Sequence, residues 1–511
     1  MISKKGTLIT PFTSPITLIT LITSPITPTT PFTPTTSPLF PVAFIPTSFP
    51  MRHHLLICLA LLPTLLWGQS DFGLTFLPET YQSTFVNPAY RQSARIQVAL
   101  PSLSSQIYHS GFTLSQLTRY AGQTDYDPSE LINEMPDISE LVLHNWVAPF
   151  AVAYQHGQWQ FGLHTRFQAI DYYGYPKEAF AMVWEGNSQY LGDTVEVGPN
   201  FEALLYRETG ISASFALGEK LRAGIRLNYL TGLINASTDR HVARLYTNPE
   251  YYQIDLEMDY RLRIASQLDL DIDSLVDERT LVFNPRVGDF FGFGGNSGYS
   301  MDLGLSFTPT EQWQIDASLV NFGSIFWDNN TRVYTSTGET SFEGLDPQGR
   351  GWGPTGDSSL TEALLADANA ALDTVWRDVG RVRQDTSYRT ALPARFYLSG
   401  RYHLNHLLTL GLAWSGQGYQ GRMHHLFSAY AGANLGRWLT GGLTYAYHTD
   451  YHSLLGLHLR LTGGPVQFFV SSGNVLGLLQ PDKVRAFNLT TGLNVVLGRE
   501  AAVPPEATEL E

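Results

Sequence analysis

A single cysteine, Cys58, is all that this 511-residue chain contains, and charged residues make up only 15% of it. One thiol excludes a disulfide framework. Long apolar runs are missing as well. The run from Leu55 to Leu66 covers 12 residues and is broken by Pro63 and Thr64, and nothing after residue 68 approaches the length of a spanning helix. A helix needs roughly 20 apolar residues to cross a bilayer. If this chain lies in a membrane, strands must carry it there. Basic residues are also scarce, with 32 Lys and Arg against 46 Asp and Glu. That balance excludes the basic face through which nucleic acid is bound.

Charge is nearly absent from residues 1–50, which hold only Lys4 and Lys5 among Thr, Pro, Ile, Leu, Ser and Phe. Such low-complexity, Pro-rich sequence cannot bury enough surface to make a core. It is either a disordered extension or upstream sequence read from an early start. Met51-Arg52-His53-His54, the apolar run and the small residue Gly68 then follow in order. This is the order of a secretory signal peptide. The expected start is Met51, and the expected mature start is near Gln69. Cys58 lies inside the apolar run, which argues against lipid anchoring, and removing the leader would leave no cysteine. Residues 1–68 hold three basic residues and no acids, so the remainder carries 29 basic and 46 acidic residues, a net −17.

The dominant pattern after residue 68 is strict alternation. Leu221, Ala223, Ile225, Leu227 and Tyr229 share one face, and Arg222, Gly224, Arg226 and Asn228 share the other. Period two with this contrast means a strand with one apolar and one polar face. Tyr299 to Phe307, Leu455 to Thr462 and Phe487 to Leu497 repeat it. Further candidates lie near 94–100, 147–155, 159–169, 205–217, 251–265, 312–325, 394–404, 407–416, 425–435, 438–448 and 465–473, giving 15 in all. Several run about 9–11 residues, the length of a tilted bilayer-crossing strand. Tight turns at Gly157-Gln158, Gly218 to Lys220, Leu404 to His406, Gly436-Arg437 and Gly463 to Pro465 alternate with long segments. Outer-membrane barrels have short turns on one side and long loops on the other. Trp159, Trp313 and Trp438 at strand starts, with Trp327 and Tyr447 near strand ends, suit interfacial girdles. Packing within a core is the alternative.

Three regions interrupt the pattern. Residues 71–93 are irregular. Within 112–145, Thr113 to Leu117 and Asp137 to Leu141 resemble short capped helices. Residues 357–382 predict one amphipathic helix, with Leu360, Leu364, Leu365, Ala368 and Leu372 on a face. The tail after Gly498 is acidic and is expected to be disordered.

The fold expected is therefore all-β: a transmembrane antiparallel β-barrel of roughly 14 strands, over residues 69–498, with a short N-terminal segment and one inserted helix. The polar face supplies the candidate lumen residues Arg222, Arg226, Asn228, Asp302, Asp316, Arg401, His403, His458 and Arg460. Both signs are present, which suits a closed, ion-paired interior as well as a selective channel. Other motifs read weakly. Asp269, Asp271, Asp273 and Glu278 invite calcium, but the EF-hand positions for Gly and Glu are Ser274 and Thr280. Gly292 to Gly298 precedes a strand, not the helix a phosphate cradle opens, and reads as a turn. His424, His425, His448, His452 and His458 would bind metal only by converging on one face; polar lumen residues are the simpler reading. No catalytic constellation, metal site or cofactor site is assigned.

Asn87-Pro88-Ala89 resembles the element of the same sequence near the mature N-terminus of several outer-membrane barrels. These include fatty-acid-transporter-like barrels and barrels associated with gliding-type protein secretion. The segments LRAGIRLNYLTGLINAS (221–237), GYSMDLGLSF (298–307), SLVNFGSIFW (318–327) and SGNVLGLLQPDKVRAFNLTTGLNVVLG (472–498) are similar to domain-of-unknown-function family 5723, exported proteins regarded as outer-membrane barrels. The resemblance covers roughly residues 71–498 and carries no activity or catalytic residue with it. One departure is the terminal Leu497-Gly498, where many barrels end on an aromatic. The resemblance implies an outer-membrane, porin-like protein in contact with lipid, and not an enzyme. Passage of a small solute across the outer membrane is the first expectation, by analogy of fold. The alternative is a non-transporting envelope scaffold for secretion or surface assembly proteins. A barrel enzyme or a glycan-binding soluble sandwich stands third.

Overall fold

The computed structural model describes residues 71–499, apart from 114, 117–128, 251–252, 278–281, 343–379, 420, 437, 450–451 and 481–484. Among the described residues nineteen strands run in chain order: β1 (Ala94–His109), β2 (Ile138–His156), β3 (Trp159–Pro176), β4 (Thr194–Glu196), β5 (Asn200–Leu217), β6 (Leu221–Thr247), β7 (Ile254–Ser266), β8 (Ser297–Thr310), β9 (Trp313–Trp327), β10 (Thr331–Phe342), β11 (Arg381–Gln384), β12 (Tyr388–Ala391), β13 (Arg395–His403), β14 (Leu408–Tyr419), β15 (Arg422–Leu435), β16 (Leu439–His448), β17 (His452–Gly463), β18 (Val466–Ser472) and β19 (Ala486–Arg499).

Fourteen of them form a closed antiparallel wall. The order is β1, β2, β3, β5, β6, β8, β9, β13, β14, β15, β16, β17, β18 and β19, and β19 pairs back onto β1. Closure leaves the wall no free edge, as a bilayer demands of a sheet. Turns at one rim are tight, as at Gly157-Gln158 and residues 218–220, whereas the other rim carries the long connections. Ala94 pairs with Arg499, so the barrel's first and last strands meet at the tight-turn rim.

The alternation explains which side chains meet which solvent. Leu163, Ile211, Leu227, Met301 and Phe322 are cross-strand neighbours on β3, β5, β6, β8 and β9. Four of the five are exposed, from Leu163 at 45% to Ile211 at 62%. A belt of outward apolar side chains this continuous is far larger than the patches of soluble monomers, and it matches a hydrocarbon surround. This is a membrane-spanning barrel. Arg207 shares the outward phase of β5 but is buried. Residues 286–293 cross outside the wall there, and Arg207 donates to the carbonyls of Phe290 and Gly292, both at 2.8 Å. Phe291 packs on Phe167 and Phe293 on Tyr229, also outward residues. A cation on the lipid side is thus bonded to two backbone carbonyls and covered by the Phe293 ring.

The molecule's largest apolar cluster lies inside the barrel. Residues 71–93 form two 3₁₀ turns, Asp71–Phe76 and Tyr81–Phe85. They enter the lumen, so that Phe72, Leu74, Phe76, Leu77, Tyr81, Phe85 and Val86 are buried against Trp146, Val320, Leu426, Tyr430 and Phe469 of the wall.

Three expectations need correction. Asp137 to Leu141 is not a helix: Ile138–His156 is one strand, because Glu140 and Leu141 continue the pairing of β2 with β1 and β3. The strand near 251–265 is not part of the wall; it is β7, which pairs with the upper half of β6 and with β10. Trp327 is not in a girdle but fully buried, donating to Thr390 Oγ1 at 3.1 Å. The helix expected over 357–382 lies outside the described residues except at its end, where Gly380 has φ +63° and Arg381 opens β11.

Candidate functional site

The candidate site is the lumen where the N-terminal segment meets the wall. Two glycines open the seat for Asn87-Pro88-Ala89. A Cβ at Gly304 would collide with Asn87 Oδ1, and one at Gly224 with the backbone of Pro88 and Ala89. Into that space Asn87 folds over its own chain, its Oδ1 accepting from Ala89 N at 2.9 Å. Its Nδ2 donates to the Leu305 and Ala317 carbonyls at 3.0 and 3.4 Å. Ser318 Oγ donates to the Val86 carbonyl at 2.7 Å. A short polar side chain that satisfies both its own turn and two wall carbonyls is what this tight approach requires.

Buried ion pairs flank the seat. Arg226 pairs with Asp302 at 2.9 Å, and both are fully buried. Arg226 also donates to the Thr84 carbonyl, and its guanidinium lies 5.4 Å from the Phe85 ring centroid. Asp302 accepts from Asn321 N at 2.7 Å and from Asn228 Nδ2 at 3.4 Å. Arg401 pairs with Asp316 at 2.8 Å and lies over Tyr90. Arg460 reaches Glu79 of the segment at 2.6 Å. His458 is set between Thr444 Oγ1 and Ser471 Oγ, at 3.0 and 2.8 Å. Arg222 lies at the tight-turn rim, half-buried, bonded to Ser214, and His403 reaches Thr409 Oγ1. The charges inside therefore face partners, as low-dielectric burial demands.

A second polar cluster was not singled out from sequence. Glu208 of β5 receives Arg166 through both oxygens at 3.1 Å, His164 at 2.7 Å and Gln168 at 2.8 Å. Phe85 lies against this cluster, with Arg166 4.4 Å from its ring centroid. The signal was available, since Gln160, His164, Arg166 and Gln168 alternate with Trp159, Phe161, Leu163 and Phe167. An amide chain was equally hidden: Gln82 of the segment exchanges bonds with Asn494, which bonds Gln467, which bonds Gln97. Its members come from opposite ends of the described chain, and no local pattern joins them.

The weaker motifs resolve by geometry. Asp271 turns onto Ser274, and Asp273 is held by Arg332 and Arg383, each at 3.0 Å. The Arg332 hydrogen bond, helped by both cations, lowers the Asp273 carboxyl below its ordinary value. Asp273 thus serves two arginines, and Asp271 caps its own turn. His424 and His448 line one small cavity while His458 stands elsewhere. Among the described residues no three His, Cys, Asp or Glu side chains form a metal-binding group.

Comparison with known proteins follows this geometry. The model "Family of unknown function (DUF5723)" matches residues 88–473, which spans the wall from before β1 to the end of β18. The chain belongs to this family. None of the curated proteins matches it. Among solved structures, the Ralstonia pickettii toluene transporter TbuX aligns at 12% identity and a TM-score of 0.37, covering 82% of this chain and 94% of that one. The Pseudomonas putida toluene transporter TodX aligns at 10% and 0.35, covering 82% and 92%. A Pseudomonas aeruginosa FadL homologue aligns at 11% and 0.37, covering 82% and 93%. Scores this low carry no argument about activity, and the barrel stands on its own strand register. For this DUF5723 protein the seat of Asn87 to Ala89 falls at the start of the matched region.

Proposed function

We propose that this protein is an outer-membrane barrel, exported by the signal sequence at residues 51–68, that passes small solutes when its N-terminal segment leaves the lumen. The observation that carries the reading is how the segment is attached. It fills the lumen, yet its described hydrogen bonds to the wall run through side chains, and no strand ladder joins it to any of the described strands. A ladder would make the obstruction part of the wall. Side-chain contacts make it a part that can move while the fourteen strands stay paired. The lumen residues Arg226, Asp302, Asp316, Arg401 and Arg460 would then hold the closed state and line the path.

A locked barrel tests this. An added Cβ at Gly73 would meet Ser471 Oγ and the His458 ring, so Gly73→Cys with Ser471→Cys is made in a His458→Ala background, where the two thiols adjoin and the ring no longer blocks them. The exported chain has no other cysteine once the leader is removed. Gly73 lies near the free end of a segment whose other end is tied to β1. In liposomes, arabinose flux should fall at least tenfold on oxidation and return on reduction. Equal flux in both states sinks the moving segment. No flux in either state, from a folded barrel, favours the scaffold reading, which the extra sheet rising beyond the long-loop rim also suits.

A further inference from the structure

Past the wall, the upper half of β6 continues into a sheet with β7, β10 and β11. One face of this sheet continues the barrel's inner surface. On β5, Glu208 and Tyr206 are buried inward, and Glu202 keeps their phase. Glu202 opposes Ser237, Ser237 opposes Arg263, Arg263 opposes Val333, and Val333 opposes Gln384. The neighbouring row is Arg240, Arg261, Thr335 and Val382. Between this face and Tyr388 lies a cavity of about 460 Å³.

Its lining is chemically one-sided. Arg240, Arg261 and Arg263 contribute three guanidiniums, and among the described residues no carboxylate lines it. The acids that balance them stand on the same face, in the adjoining row and at the β6 bulge: Arg240 pairs with Asp259 at 2.7 Å, and Asp239 is shared by Arg261 and Arg263. Among the described residues three cations thus share two anions, with Glu202 farther along the row beyond Ser237. The Nε donors of Arg240 and Arg263 are buried without a hydrogen-bond partner. Arg263 stacks over Tyr388, 5.1 Å from its ring centroid, and Val333 and Val382 supply apolar wall. Guanidinium forks match the two oxygens of a carboxylate or phosphodiester. The volume lies within the usual range for small-molecule sites.

We propose that this cleft at the barrel mouth binds an organic monoanion: a carboxylate or phosphodiester head on the arginines, with its apolar or aromatic body against Tyr388, Val333 and Val382. One surplus cation sets the single charge. The proposal does not need the segment to move, because the cleft lies above the lumen and is open in the closed barrel.

The test is calorimetric titration of the full barrel in a nonionic detergent with benzoate, with the neutral isostere benzamide and with dibutyl phosphate. Benzoate should bind at least tenfold more tightly than benzamide, and Arg263→Gln should remove that advantage. Val382→Glu is the second variant. It places a carboxylate in the lining from an exposed position (53% exposed) and leaves every ion pair intact, so it should also abolish benzoate binding. Dibutyl phosphate matching benzoate would extend the site to lipid-type phosphodiesters; its failure would restrict the site to carboxylates. Equal affinity for benzoate and benzamide, or unchanged benzoate affinity in a folded Val382→Glu barrel, overturns the proposal.

Discussion

Removing the charge of Asp302 should be the most damaging single change in the lumen. Asp302→Asn keeps the shape but leaves Arg226 as a fully buried cation without its 2.9 Å partner. The amide also places a donor or an oxygen, never two acceptors, where Asn321 N and Arg226 both donate now. Breaking one side of a buried pair costs about 3–5 kcal/mol, because the surviving charge stays desolvated. Glu208 and the Thr84 carbonyl soften this and set the expectation at the lower end, about 3 kcal/mol. Arg226 carries Thr84, so part of the loss should show as release of the N-terminal segment. The assay is urea unfolding of the purified barrel in detergent, followed by the shift between folded and unfolded bands on gels. Arg226→Met with Asp302→Leu should recover at least half of the loss, since apolar replacement of a buried pair is often neutral. An Asp302→Asn barrel that unfolds at the wild-type midpoint would refute the claim that burial, and not solvent, surrounds this pair.

Gly304→Ala should unseat Asn87 while leaving the wall paired; a thiol introduced at Ala89 should then react with a soluble maleimide at least tenfold faster than in the Gly304 background. Arg207→Met should free residues 286–293 from the outer wall, which limited trypsin cleavage after Arg286 would register; cleavage no faster than in wild type would show that the aromatic contacts alone hold the segment. Asp273 is lowered by Arg332, so its contribution is present above the unfolded value of about 3.9 and is lost as pH falls through the lower folded value. Hydrogen exchange of residues 272–277 should therefore be slow at pH 7 and accelerate, after correction for intrinsic rates, only below about pH 4; a pH-independent protection would remove the ion pair from the account.

How much could be read in advance depends on the range of the interaction. Fourteen of the 15 alternating stretches are wall strands, because period two is a local property set by each strand's own two solvents. The strand near 251–265 alternates too, and yet β7 stands outside the ring. Its partner is the overlong β6, and strand partners are a long-range choice. The segments at 331–342 and 381–384 gave no signal because neither sets one face against lipid, and all four residues of β11 are exposed. Ile138 to Leu141 imitated a capped helix, since a capping residue before an apolar pair is common to both states, and pairing with β1 and β3 decided between them.

By itself the sequence determined that strands would cross, that one face of each would be apolar, and that residues 71–93 would follow neither pattern. These are consequences of side-chain polarity at a fixed spacing. Only the tertiary structure decided that the irregular segment fills the lumen, that Gly224 and Gly304 make room for Asn87 to Ala89, and that Arg226 finds Asp302. It alone gathered Arg240, Arg261 and Arg263 around one cleft. Closing a sheet of fourteen strands brings residues hundreds of positions apart into contact, and the energy of each contact depends on what the ring has excluded from it, which no local pattern encodes.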